Sequence, residues 1–326
     1  MSNQNLAVGF IGLGNVGGKL AGTLLRNGAN LFVRDLNAEF VAEFVSRGAK
    51  AANSPKELAE LVDIVITCLP SPAACSQVME ADDGVIAGMS EGKVWLEMST
   101  TDSTEVARIG ALVAAKGAMP VDCPVSGGCH RAATGNISIF AGCEREAFDR
   151  VLPVLTTMGR RVVHCGALGS ASMLKVLTNY LCTMHLAALS EALTVAQKAG
   201  LDMNVAFEAI KASSGNSFVH ETESQVILNG SRDINFTMDL VVKDIGLFDQ
   251  LAKDNNVPLD FSPLLVKVFT EAMEEYGARE FSPNIIRRYE EPCGIKVLGN
   301  NFPADMVDDE PEEPGAEIVV AGRQDY

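Results

Sequence analysis

LAVGFIGLGNVGGKLAGTLL, residues 6–25, decides the fold. It opens on a continuous apolar run, 6–11, which reads as a buried strand. Val16, Leu20 and Leu24 then recur at helical spacing up to Gly28, which reads as a helix and its stop. Between the two lies Gly12-Leu13-Gly14-Asn15-Val16-Gly17, a G-x-G-x-x-G. That pattern is weak alone but more specific between a strand and a helix. Gly12 permits the tight turn, Gly14 lets backbone approach a pyrophosphate, and Gly17 allows close helix–strand packing, while the helix N-terminus offers amide donors to phosphate. A second strand, 30–33, stops at Asp35. A carboxylate there suits the 2′-hydroxyl of a ribose and repels a 2′-phosphate, which favours NAD. Neighbouring Arg34 keeps NADP as the alternative.

Outward from this unit the alternation continues. Helices are expected over 38–47, 55–62 and 104–115, and strands over 64–69, 94–98, 120–123, 137–140 and 162–163. Such alternation predicts an α/β domain of the Rossmann type, a doubly wound parallel sheet. After Gly169 the pattern changes to helices over 172–199, 205–212, 222–228, 240–255, 263–276 and 285–289, an all-α C-terminal domain. The expected organisation is a nucleotide domain over 1–166, a helical substrate and oligomerisation domain over 167–291, and an acidic tail over 292–326. The tail has four prolines, and its residues 301–326 carry Asp305, Asp308, Asp309, Glu310, Glu312, Glu313, Glu317 and Asp325 against Arg323 alone. It reads as extended or disordered, with Ile318–Val320 as an apolar patch able to dock.

Composition narrows the partners. A net charge of −16 argues against nucleic acid and against anionic membranes. No apolar run is long enough to span a bilayer, and the N-terminus lacks a basic region ahead of its apolar run, so a cytoplasmic location is expected. The eight cysteines form no CxxC pair and no zinc spacing. They are expected to be reduced, mostly buried thiols, and no metal is expected.

Three stretches carry chemistry. In DCPVSGG, 122–128, Ser126-Gly127-Gly128 follows a strand and reads as a nest of backbone N–H groups for an anion such as a carboxylate. In SASMLKVLTNYL, 170–181, Lys175 is the only Lys or Arg between Val162 and Gln197, set among Met173, Leu174, Val176, Leu177, Tyr180 and Leu181. These neighbours predict core packing, where an unpaired ammonium is costly. Asn179, one turn on, shares its face. An ammonium and an amide so placed can bind an oxygen and handle its proton. In DLVVKDIGLF, 239–248, Lys243-Asp244 lies in a helical run; alone it reads as surface decoration.

In this order, the motifs resemble those of the β-hydroxyacid dehydrogenases, the family of 3-hydroxyisobutyrate dehydrogenase, tartronate semialdehyde reductase and 2-(hydroxymethyl)glutarate dehydrogenase. The resemblance covers roughly residues 6–291: GFIGLGNVG for the nucleotide loop, DCPVSGGCHRAATGN for the substrate stretch, GALGSASMLKVLTN for the catalytic helix, KDIGL for a cofactor stretch and KASSGNS, 211–217, for a segment closing over substrate. It implies a 6-phosphogluconate dehydrogenase-like helical domain and NAD-dependent oxidation of a small 3-hydroxy acid, or reduction of the matching semialdehyde. Lys175 would be the catalytic acid/base and Asn179 its partner, also touching substrate. Ser126, Gly127 and Gly128 would hold the substrate carboxylate. The dinucleotide would meet Gly12, Leu13, Gly14, Asn15, Val16 and Gly17, then Asp35, Leu69, Pro70, Thr100 and Lys243, with Asp244 orienting Lys243 or the substrate pocket. A homodimer or homotetramer is also implied.

The chain departs from the pattern at Asn216, where relatives often carry Arg, at Cys129-His130-Arg131, where small residues often follow SGG, and in the acidic tail. The residues expected to read the far end of the substrate are Ser213–Phe218 and Asn235–Phe236. Two rival readings are an imine reductase of the same architecture and a non-catalytic dinucleotide-binding scaffold. Lys175 together with a carboxylate nest favours the hydroxy acid.

Overall fold

The computed structural model describes residues 6–322. Asp325 and Arg323 of the acidic tail and the five N-terminal residues lie outside the described residues. In chain order the first part contains β1 (Ala7–Ile11), α1 (Asn15–Arg26), β2 (Asn30–Arg34), α2 (Ala38–Ser46), β3 (Lys50–Ala51), α3 (Pro55–Leu61), β4 (Ile64–Thr67), α4 (Pro72–Glu80), α5 (Val85–Gly88), β5 (Val94–Glu97), α6 (Ser103–Ala114), β6 (Met119–Asp122), β7 (Val125–Ser126), α7 (Gly128–Thr134), β8 (Ile137–Gly142), α8 (Arg145–Met158) and β9 (Gly159–Gly166). Then follow α9 (Ser170–Lys198), α10 (Met203–Lys211), α11 (Phe218–Asn229), α12 (Met238–Asp254), α13 (Phe261–Tyr276), a 3₁₀ turn (Ser282–Ile286), α14 (Arg287–Cys293) and β10 (Ala316–Glu317).

By proximity these residues group into two units, one comprising residues up to Lys175 plus Glu310 onward, the other Val176–Asp309. The sequence places a break at 166/167. In the structure the division falls inside α9, whose first turn is tied to the sheet of the first unit.

That sheet runs β10-β9-β8-β6-β5-β4-β1-β2-β3, with β7 paired to β8. Strands β1 to β6 are parallel to one another. β8 runs antiparallel to β6, and β9 and β10 run parallel to β8. β4 and β5 are buried along their whole length, as a strand covered by helices on both faces must be. Side chains fill both faces: Phe10, Leu20 and Phe148 on one, Trp95, Leu58 and Met79 on the other. Helix starts follow their sequence signals. Ser54 before Pro55, Ser71 before Pro72 and Asp102 each accept a backbone N–H of the turn that follows.

The second unit is built of helices joined by loops, packed around Leu193, Phe207, Ile245 and Phe269. The tail is extended yet docked. Val297 is buried in the helical core, and Asn229 Nδ2 donates to the carbonyl of Phe302. Farther on, β10 adds to β9 and the Ile318 amide donates to the Val162 carbonyl at 2.7 Å. Pairing with arginines and an open sheet edge, neither visible in the local composition, replace the disorder that the acids and prolines suggested.

The neighbours of Lys175 also correct an expectation. Val176 is buried, but Met173, Leu174, Leu177 and Leu181 are exposed. Met173, Leu177 and Leu181 recur every four residues and form one apolar stripe on the outside of α9.

Candidate active site

Parallel strands bring the nucleotide residues to one edge. β1 pairs with both β2 and β4, so its carboxyl end is the switch point where the strand order reverses, the usual crevice for a ligand in such a sheet. Gly12 follows β1 with φ +97°, and a Cβ there would sit 2.2 Å from the Cys68 carbonyl oxygen. A Cβ on Gly17 would lie 2.1 Å from the Gly12 carbonyl oxygen. Both positions admit only glycine. Gly14 differs. It caps α1 in an extended conformation, and nothing lies within 4 Å of its Cβ position. This open space in front of a helix N-terminus fits a pyrophosphate. Asn15 and Val16 form the first turn of α1, and the Leu13 amide donates to Asp35 Oδ2 at 2.6 Å. Asp35 Oδ1 accepts from the Asn37 amide, so this carboxylate braces the glycine loop and retains lone pairs for ribose hydroxyls. Arg34 Nη1 donates to the Asp35 carbonyl. These residues fit an NAD-type dinucleotide.

Leu69 and Pro70 follow β4, and Thr100 follows β5. A buried carboxyl the sequence reading missed connects them. Glu97 accepts from Thr67 Oγ1 at 2.6 Å, Cys75 Sγ at 2.8 Å and the Ser99 amide at 2.7 Å. Ser99 Oγ then accepts from the Leu69 amide at 2.8 Å. Burial pushes the Glu97 carboxyl above the usual range. A lone acid in an apolar strand carries no sequence signal for this role.

The Ser126-Gly127-Gly128 loop comes next along the edge. Ser126 ends β7 opposite Ser138, and Gly127 and Gly128 take φ +130° and +85°. Helix α7 follows, held from the nucleotide side: Thr23 Oγ1 donates to the Ala132 carbonyl, and Arg26 donates to that of Ala133. Asp122, at the end of β6, is also absent from the expected set. Its carboxylate accepts from the Ser172 amide and hydroxyl, both at 2.7 Å. Burial pushes it up to about 6, against the lowering effect of those bonds. Asp122 thereby fixes the first turn of α9, three residues ahead of Lys175, which is 9% exposed.

In the helical unit, Asp244 is buried and serves two partners. Asn179 Nδ2 donates to its Oδ2, and Lys243 Nζ lies 2.9 Å from its Oδ1. One turn beyond Asn179, Cys182 Sγ lies 3.8 Å from Glu223 Oε1. Burial raises the Glu223 carboxyl to about 8, and among the described residues its Oε2 has no hydrogen-bond partner. Ser172, Lys175, Asn179 and Cys182 thus form a polar stripe along α9 at helical spacing. Ser213–Phe218 turns between α10 and α11, largely exposed, with Asn216 Nδ2 on Glu221. Asn235 is exposed with φ +57°. None of the eight cysteines joins a disulfide, and four are buried. Among the described residues, no helix is long and apolar enough to cross a membrane.

The family described as "NAD binding domain of 6-phosphogluconate dehydrogenase" matches residues 7–166, and that described as "NAD-binding of NADP-dependent 3-hydroxyisobutyrate dehydrogenase" matches 169–289. A 2-(hydroxymethyl)glutarate dehydrogenase of Eubacterium barkeri is 32% identical over 91% of this chain and 99% of its own. The mitochondrial 3-hydroxyisobutyrate dehydrogenase of Mus musculus is 30% identical over 84% of each chain. The crystal structure of a 3-hydroxyisobutyrate dehydrogenase from Salmonella typhimurium, 31% identical, covers 87% of this chain and 100% of its own with a TM-score of 0.79. The chain belongs to the β-hydroxyacid dehydrogenase family and is an NAD(P)-dependent oxidoreductase.

Proposed function

We propose that the protein oxidises the hydroxyl-bearing carbon of a small 3-hydroxy acid, or reduces the matching semialdehyde, with Lys175 as general acid/base. The observation that carries this reading is a buried lysine on a helix whose first turn is clamped by Asp122. Gly12 to Gly17, Asp35, Leu69, Pro70, Thr100 and Lys243 would hold the dinucleotide. When bound, its nicotinamide supplies the two-electron acceptor for oxidation and donor for reduction. Ser126, Gly127 and Gly128 bind the substrate carboxylate through backbone amides and the serine hydroxyl. In oxidation the Lys175 amine takes the hydroxyl proton as the C–O bond becomes a carbonyl. In reduction the Lys175 ammonium returns that proton to the carbonyl oxygen. Asn179, oriented by Asp244, donates its remaining amide hydrogen to the same oxygen. The apolar stripe of Met173, Leu177 and Leu181 supports a homodimer or homotetramer, which light scattering measures.

The test is a panel of 3-hydroxyisobutyrate, 2-(hydroxymethyl)glutarate, glycerate and serine, each assayed with NAD and with NADP, and of tartronate semialdehyde assayed with NADH and with NADPH. Turnover of a panel member is expected, faster with NAD. Binding of NAD without turnover of any member would sink the proposal.

A further inference from the structure

Two features set this chain apart from the family pattern, Arg131 after the anion loop and the acidic tail, and in the structure they meet. Glu310 Oε1 accepts from Arg131 Nη2 at 2.8 Å, and Glu310 Oε2 lies 3.0 Å from Arg161 Nη2. The Glu310 carbonyl also accepts from Asn136 Nδ2 at 2.9 Å. Both matched family regions end before this segment, the later one at residue 289.

Each partner of Glu310 connects to the anion loop. Arg131 lies in α7, which starts at Gly128, and its Cδ sits 3.2 Å from where a Cβ of Gly127 would be. Asn136 follows α7 and its amide donates to the Arg131 carbonyl. Arg161 pairs in register with Ser138, which pairs with Ser126, so Ser126, Ser138 and Arg161 form one row across three strands. The segment beyond Glu310 is anchored too: Glu312 pairs with Arg26 of α1, Glu313 with Arg160 and Glu317 with Arg145. Glu310 therefore ties the helix after the loop to the sheet beside it.

We infer that Glu310 is a positioning residue for the substrate-anion loop, acting through Arg131 and Arg161. It holds α7 so that Ser126, Gly127 and Gly128 keep their amides converged on a carboxylate. This rests on the assignment of that loop to the substrate carboxylate.

The full-length Glu310→Gln variant tests it by two readouts, one independent of activity. Hydrogen–deuterium exchange of the 127–136 amides is expected to accelerate while α1 stays protected. KM for the hydroxy acid is expected to rise roughly three- to tenfold, with kcat and the Kd for NAD nearly unchanged, as for a lost ground-state and transition-state binding contribution. Glu310→Asp should recover part of the KM, and Arg131→Gln combined with Glu310→Gln should be no worse than the more affected single variant. Unchanged exchange at 127–136 overturns the proposal, and so does a KM that falls, which would mean that Glu310 masks Arg131 from substrate. A drop in melting temperature with unaltered KM also overturns it, by reducing Glu310 to a structural clamp. If the unsubstituted enzyme turns over no hydroxy acid, the substrate assignment fails, and the exchange experiment still decides whether Glu310 holds the loop.

Discussion

At the carboxyl edge of the sheet, the groups proposed to meet a ligand are mostly backbone. Gly12, Gly14 and Gly17 bare the amides at the start of α1, and Gly127 and Gly128 open the loop before α7. In the helical unit the polar groups are side chains gathered on buried acids: Asn179 and Lys243 on Asp244, and Cys182 near Glu223. The difference teaches where each kind of site is vulnerable. A backbone site fails when a Cβ intrudes or when φ cannot be reached. A side-chain site fails when a buried partner is left unsatisfied or changes its proton. Lys175 is the last residue of the first unit, on the helix that continues into the second.

The largest effect is expected there. Lys175→Ala should lower turnover by roughly 10²–10⁴-fold, the range for a general acid/base. NAD affinity, measured by fluorescence titration, should barely change. Near-normal turnover would remove Lys175 from the chemistry and leave the side-chain half of the comparison without its centre.

Next comes the strictest backbone position. Gly12→Ala meets both φ +97° and a carbonyl oxygen 2.2 Å from the new Cβ. It should cost about 3 kcal/mol or more in denaturant-induced unfolding. A variant as stable as the parent would show that this turn relaxes freely.

Glu223 gives a pH signature of comparable or smaller size. Its folded-state value of about 8 lies above the ordinary 4.5. The stability that the protonated group provides is complete below about pH 4.5, declines as the unfolded chain ionises, and is lost as pH rises through about 8. Against Glu223→Gln, which does not titrate, the parent should lose roughly 2–4 kcal/mol between pH 5 and pH 8.5. Parallel stability curves for the two proteins would contradict the buried, protonated carboxyl.

The smallest effect sharpens the comparison most. Gly14 has an ordinary φ and open space at its Cβ position. Gly14→Ala should change stability by less than about 1 kcal/mol, the usual range for an unstrained change. It should weaken NAD by roughly tenfold, because the methyl occupies the phosphate approach. Loss of stability equal to that of Gly12→Ala would mean that the loop is packed, not an open cradle.

The two halves were unequally legible. The strand–glycine–helix unit, Asp35 at the end of the second strand and the switch from alternation to continuous helices are local patterns, and the structure places them within a residue or two of the expected bounds. The short β3, β7 and β10 and the helices α5 and α7 have too few residues for a periodic signal. Glu97, Asp122 and Glu223 were invisible for another reason: the first two are single acids in apolar stretches, the third is one polar residue among several, and the role of each comes from partners about 20 to 50 residues away. The exposed stripe of α9 was misread because a run of leucines looks the same whether it faces a core or the outside.

The sequence by itself determined the nucleotide-binding unit, the helical second half, and the paired positions of Lys175 and Asn179. Chain geometry enforces these over a few residues: glycine where φ is positive, period two or 3.6 where a face is buried, four residues for one helical turn. Only the tertiary structure decided that Asp122 clamps α9, that Asp244 joins Asn179 to Lys243, and that an acidic tail docks on arginines beside the Ser126-Gly127-Gly128 loop. These are pairings of charge and hydrogen bond between distant segments, and a linear composition does not encode which acid meets which base.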